Sequence, residues 1–144
     1  MANALFGPGR EGFLLAEIDW DTAVIKVSPV RGYTFSSTHK FVSDVTGAGG
    51  TLHGSATATL ASKTGTNGTA DAADITFTAL TATGAAPCSL LIYQASAVGG
   101  GADVAASAQR LIGFIDTGTN IPFTPNGGDV SVAWDNGSNK IFTL

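Results

Sequence analysis

Asp19 and Asp21, two positions apart, and Asp71 and Asp74, three apart, are the first candidates for reactive groups in this sequence. Carboxylates so spaced serve as acid and base in glycoside hydrolysis or as oxygen ligands for calcium, and Asp116, Asp129 and Asp135 could join them. Each flanks a turn pattern, however, where an aspartate bonds nearby backbone amides, and turn chemistry is the stronger reading. Asp135-Asn136-Gly137-Ser138-Asn139 lacks both the spacing and the glutamate of a calcium loop. His39 and His53 have no third histidine and no adjacent carboxylate, and Cys88 is alone, so zinc ligation has no support. A lone cysteine of this kind reads as a small buried hydrophobe. No G-x-S-x-G elbow marks a nucleophile, and the glycine-rich stretches match neither the phosphate loop nor G-x-G-x-x-G. Asn67-Gly68-Thr69 and Asn136-Gly137-Ser138 fit the glycosylation acceptor pattern, which carries little weight without a signal peptide. The expectation is a protein that is not an enzyme and holds neither metal nor cofactor.

Charge and length narrow the partners. Seven Lys plus Arg against eleven Asp plus Glu give a net charge of −4, which repels a phosphate backbone, so direct nucleic-acid binding is not expected. No apolar run approaches the eighteen or so residues of a membrane helix, and glycines, Pro8 and charges interrupt the amino-terminal Phe13-Leu14-Leu15-Ala16 cluster before it could form a signal-peptide core. With 144 residues the chain is expected to fold as one domain around a single core. Only 12% of residues are charged, about half of the roughly 25% usual in soluble domains, and a charge-poor surface suits burial in an assembly.

The elements that must carry these residues read as short strands. Nineteen glycines are spread along the chain, with Asn-Gly and Asp-Asn-Gly turns between β-branched, alternating runs. The runs at 23–30, 40–45, 52–60, 75–80, 89–95, 110–116, 129–134 and 140–144 predict about eight strands. Pro29, without an amide donor, predicts an edge or bulge. Asp135-Asn136-Gly137 predicts a hairpin pairing 130–134 with 140–142. Thr83-Gly84 reads as another turn, and residues 101–109 have helical potential with Asp103 as a possible N-cap, or else form a long loop. Residues 1–22 read as a partly ordered arm, with a short helical stretch at most over 10–16, and residues 23–144 as a β-sandwich. Phe6, Phe13 and Trp20 in that arm must dock, either on the sheet or on a partner.

Several segments resemble a known family. Ala4-Leu5, Gly9-Arg10-Glu11-Gly12-Phe13-Leu14, Ile18-Asp19-Trp20-Asp21, Ile25-Lys26-Val27 and Thr38-His39 with Phe41 and Ser43-Asp44 are similar to the cement, or decoration, proteins of tailed bacteriophages. Ala70-Asp71-Ala72-Ala73-Asp74, Thr76-Phe77-Thr78-Ala79, Ile92-Tyr93 and Ile115-Asp116-Thr117 extend the likeness. The carboxyl-terminal run from Thr124-Pro125-Asn126-Gly127-Gly128-Asp129 through Trp134-Asp135-Asn136-Gly137 to Ile141-Phe142 is its most specific part. Pro29, Leu52-His53-Gly54-Ser55 and residues 99–108 depart from it. The resemblance implies a jelly-roll β-sandwich on the outer surface of the virion capsid, made in the host cytoplasm, commonly dimeric, that binds the major capsid protein and ties capsomers together. Leu5, Phe6, Arg10 and Phe13 are then the expected partner contacts, and removing residues 2–13 is expected to abolish decoration while leaving the sandwich folded. The alternative is a tail-associated or receptor-binding jelly roll, with Trp20, Tyr33 and Tyr93 as the aromatics for a carbohydrate.

Overall fold

The long alternating runs become the middle of one large sheet. The computed structural model describes residues 3–53, 56–81, 84 and 86–144. In chain order its elements are β1 (Ala4–Leu5), α1 (Gly7–Leu14), β2 (Ile25–Arg31), α2 (Val42–Gly47), β3 (Thr51–Leu52), β4 (Ala58–Thr59), β5 (Thr64–Thr66), β6 (Thr69–Asp71), β7 (Ile75–Phe77), β8 (Cys88–Gln94), β9 (Ser96–Ala97), β10 (Gly100–Asp103), β11 (Arg110–Ile115), β12 (Val130–Val132) and β13 (Phe142–Thr143). The antiparallel order β1-β11-β8-β2-β3, with β4 also on β2, makes a six-stranded sheet, and β13-β6-β5, β12-β7 and β10-β9 form smaller ones. The fold is all-β, a sandwich of antiparallel sheets. Its strands divide six, three, two and two, where a jelly roll has two sheets of four.

Both faces of the large sheet are covered, which is why Leu90-Leu91-Ile92-Tyr93 reads as a continuous apolar run. Ile25, Val27, Leu90, Ile92 and Ile112 point into one layer with Ile75, Phe77, Val132 and Trp134 from the β7 and β12 side. Val30, Leu91, Tyr93, Leu111 and Phe114 point into a second layer with Phe6, Val42 and Val45. The smaller pair keeps a wet face: Thr76 and Ser131 are exposed, while Ile75, Phe77 and Val132 are buried. Ala79 breaks this alternation with a φ of 48°, so that Leu80 is the buried residue and Ala79 the exposed one.

Several elements differ from the expectation, each for a local reason. Residues 40–45 do not form a strand. The Asp44 carboxylate accepts the amides of Lys40 (2.8 Å) and Phe41 (2.9 Å), capping α2 from its third position and setting Val42 and Val45 inward. The 130–134 strand pairs with β7 (Val130 opposite Phe77) and residues 142–143 with β6 (Phe142 opposite Ala70), so the expected hairpin is absent from the register. Asp135 instead closes its own loop by accepting Gly137 N (3.0 Å) and Asn139 N (3.2 Å). Trp134 anchors the end of β12 elsewhere, its amide on Asp74 Oδ1 and its indole on Ala73 O.

Residues 101–109 carry no helix: Asp103 ends β10 and pairs with Lys26 instead of capping. The expected 52–60 strand appears as β3 and β4, with Gly54 and Ser55 outside the described residues, as is Thr83 of the Thr83-Gly84 turn. Pro29 lies inside the sheet, opposite Leu90, but at the break between β3 and β4. Its carbonyl accepts His53 N (2.9 Å) on that side, so the missing donor also falls at the gap and costs no ladder bond to β8.

Candidate partner-docking surface

The amino-terminal segment docks on the chain's own sheet. Ala4 and Leu5 pair with Phe114 and Gly113, and Phe6 N donates to Ile112 O (3.0 Å). Phe6 is wholly buried, its ring 4.9 Å from that of Phe35, which stacks in turn on Phe114. The helix begins at Gly7, earlier than the 10–16 stretch expected, because Pro8 occupies the first turn, where no helical N–H bond is required. Gly9 and Gly12, three apart on one face, are buried and allow close approach. A β-carbon on Gly9 would stand 2.7 Å from Leu111 O and 3.1 Å from Ile112 O. Arg110, buried under the helix, donates to Pro8 O (3.2 Å), pairs with Glu17 and lies over the Phe41 ring at 5.7 Å.

This places the four expected contacts differently from one another. Phe6 is core and is closed to any partner in this fold. Leu5 is half-buried at the sheet edge, and Phe13 is half-buried with its ring 6.0 Å from Phe142. Arg10 is exposed. Cutting away residues 2–13 would strip Phe6 and β1 from the sheet, so that change cannot be expected to leave the sandwich intact. Sequence reasoning missed Leu14 (86% exposed) and Leu15 (59%), which end the helix in solvent. The signal was present: Gly9 and Gly12 mark the contact face, and Leu14 falls on the far side of the helical wheel.

Two grooves flank the segment. One of about 760 Å³ is lined by Phe13, Trp20, Asp19, Asp21, Val98 and the exposed strand β5. Trp20 donates its indole N–H to Thr64 O (3.0 Å) and meets Phe142 edge-on at 5.2 Å. A second groove of about 580 Å³ is lined by Leu5 and Arg10, by Ile92 and Gly113 of the large sheet, and by Asp135 and residues 139–143.

Most of the candidate reactive residues are engaged in hydrogen bonds within the fold. Asp19 accepts the amides of Asp21 and Thr22 and the Thr22 hydroxyl, and these bonds hold its carboxyl below the usual range. Asp71 accepts Ala72 N, Asp129 accepts Ala79 N, and Asp135 is lowered in the same way by Gly137 and Asn139. His39 Nδ1 meets the Tyr33 hydroxyl at 2.8 Å, and His53 Nε2 meets Thr81 O at 2.8 Å. Burial pushes the Cys88 thiol up, as for a core residue. Among the described residues no three His, Cys, Asp or Glu gather as metal ligands, and no helix is long and apolar enough to cross a membrane. Tyr93 is 6% exposed, which removes it from the aromatics available to a carbohydrate. Comparison with family models, with curated proteins and with solved structures finds no match to this chain.

Proposed function

We propose that the protein is a structural virion component that binds the outer surface of an icosahedral tailed-phage capsid, docking as a homodimer on the major capsid protein to cement adjacent capsomers. The observation that carries this reading is the pair Leu14 and Leu15, held in solvent at the end of a helix whose other face is seated on the sheet. Exposed leucines on a rigid mount, on a chain with 12% charged residues, suit a protein partner. The sequence resemblance supplies the kind of partner. Cementing needs no reaction: a protein that binds the assembled shell and not its separate subunits stabilises the shell by mass action. A tail or receptor-binding role is the second reading, favoured by the groove that Trp20 and Asp21 line together.

The test is to mix the purified protein with expanded, undecorated tailed-phage shells, sediment them and compare shell melting with and without it. Saturable co-sedimentation and a raised shell melting temperature support cementing. Failure to bind intact shells refutes it and favours the second reading.

A further inference from the structure

We propose that Asn67 is a modification site, the place in this chain where an asparagine converts spontaneously to isoaspartate with water as the co-reactant. The reaction needs no partner and is independent of the capsid reading. Asparagine followed by glycine is the pair most open to it, because glycine puts no side chain in the way of its own backbone nitrogen. The chain has three such pairs, Asn67-Gly68, Asn126-Gly127 and Asn136-Gly137, and all six residues are exposed. Exposure therefore does not separate them; hydrogen bonding does. Gly127 N donates to Leu80 O (2.7 Å), and the Asn126 side chain accepts Gly128 N (3.0 Å). Gly137 N donates to Asp135 Oδ1 (3.0 Å). Among the described residues, neither Gly68 N nor the carbonyl or side chain of Asn67 makes a hydrogen bond.

The turn also supplies the geometry. Thr66 faces Thr69 across a two-residue loop, and φ values of 52° at Asn67 and 77° at Gly68 make it type I′. Its central peptide unit, free of bonds, can flip while the ladder stays closed, which gives a type II′ turn and takes ψ of Asn67 to about −120°. There Gly68 N eclipses Asn67 Cβ and comes into line with Cγ. Its lone pair attacks Cγ, the N–Cγ bond forms, and the proton of Gly68 N passes through water to Nδ2, which leaves as ammonia. Water then opens the five-membered imide. Attack at the Asn67 backbone carbonyl carbon breaks its bond to Gly68 N, so that the chain runs on through Cβ and Cγ as isoaspartate; attack at Cγ gives aspartate. The isoaspartate lengthens the loop by one methylene at the point where Gly68 O holds Leu144 N (2.9 Å).

The test incubates the native protein at mildly alkaline pH, and in parallel the protein unfolded in urea. Residues 67, 126 and 136 are followed by peptide mass spectrometry, with an isoaspartyl methyltransferase assay to count isoaspartate. In the native protein Asn67 is expected to convert about fivefold faster than either of the other two, the factor that one hydrogen bond contributes. In urea the three rates should converge. Asp135→Ala, which frees Gly137 N, should raise the rate at Asn136 about fivefold and leave Asn67 unchanged. Asn67→Gln, whose longer side chain would have to close a six-membered ring, should remove the first isoaspartate to form. Native conversion at Asn126 or Asn136 as fast as at Asn67, a preference for Asn67 that persists in urea, or an Asn136 rate untouched by Asp135→Ala overturns the proposal.

Discussion

Replacing Gly9 with alanine tests whether α1 is truly seated on the sheet, because two effects of opposite sign compete. Alanine is favoured over glycine inside a helix by about 1 kcal/mol, so propensity alone predicts a stabler protein. The contact predicts the reverse. The added β-carbon would meet Leu111 O at 2.7 Å and the Ile112 carbonyl oxygen and α-carbon at 3.1 and 3.3 Å. All three atoms belong to the backbone of β11, which is pinned between β8 and β1, so the helix must lift away by a few tenths of an ångström. Overpacking of this kind costs about 1–3 kcal/mol. The net expectation is a loss of up to about 2 kcal/mol, or up to roughly 8 °C in melting temperature for a chain of this size. Gly47→Ala is the control: no atom lies within 4 Å of its β-carbon, so the same substitution should raise the melting temperature by a few degrees, from about 0.5–1 kcal/mol. Thermal unfolding followed by circular dichroism reads both. A Gly9→Ala protein stabilised as much as Gly47→Ala would sink the argument that the helix rests on β11.

Phe6→Ala should cost about 3–5 kcal/mol in a denaturant titration, as for other buried aromatics, whereas an unimportant arm would lose less than about 1 kcal/mol. Asp44→Ala should cost about 1 kcal/mol at neutral pH through the lost cap. Amides of Phe41 and Lys40 hold the Asp44 carboxyl below its ordinary 3.8, so its contribution is complete above that value and disappears as pH falls through the lower folded one; the gap between wild type and variant should close only below pH 3.8. Leu14→Ser with Leu15→Ser should leave unfolding within about 0.5 kcal/mol per site of wild type and still reduce shell occupancy, and full occupancy would exclude these leucines from the interface.

The sequence revealed strands more readily than their partners. Val27 and Val30, Leu90 to Tyr93, and Leu111 and Ile112 carry strand patterns strong enough to place β2, β8 and β11, because burial on both faces leaves few polar residues to blur them. Pairing was another matter. Asp135-Asn136-Gly137 has hairpin composition, yet the carboxylate spends itself inside the loop and the Trp134 indole finds Ala73, a residue sixty-one positions away that no local pattern announces. At residues 40–45 a strand-like pattern of Phe41, Val42 and Val45 concealed a single capping aspartate. The candidate surface was half visible: the aromatics of the amino-terminal segment plainly had to dock, but composition could not say that Phe6 would dock inward while Leu14 stayed out. That division follows from Gly9 and Gly12, whose missing side chains set the face.

The pairing of Ala4 with Phe114 and Leu5 with Gly113 also governs how the molecule comes into being. During translation Phe35 and Ser37 follow Phe6 and Gly7 within some 30 residues, but β11, the strand on which β1 pairs, follows only about 110 residues later; at about 5–20 residues per second that interval lasts roughly 5–20 s. Until β11 arrives, a phenylalanine destined for full burial has only part of its final packing, and two leucines destined to stay outside are available to other chains in a crowded cell. The segment is made well before its sheet partner, and the yield of folded protein should depend on chaperone capacity and synthesis rate as well as on final stability.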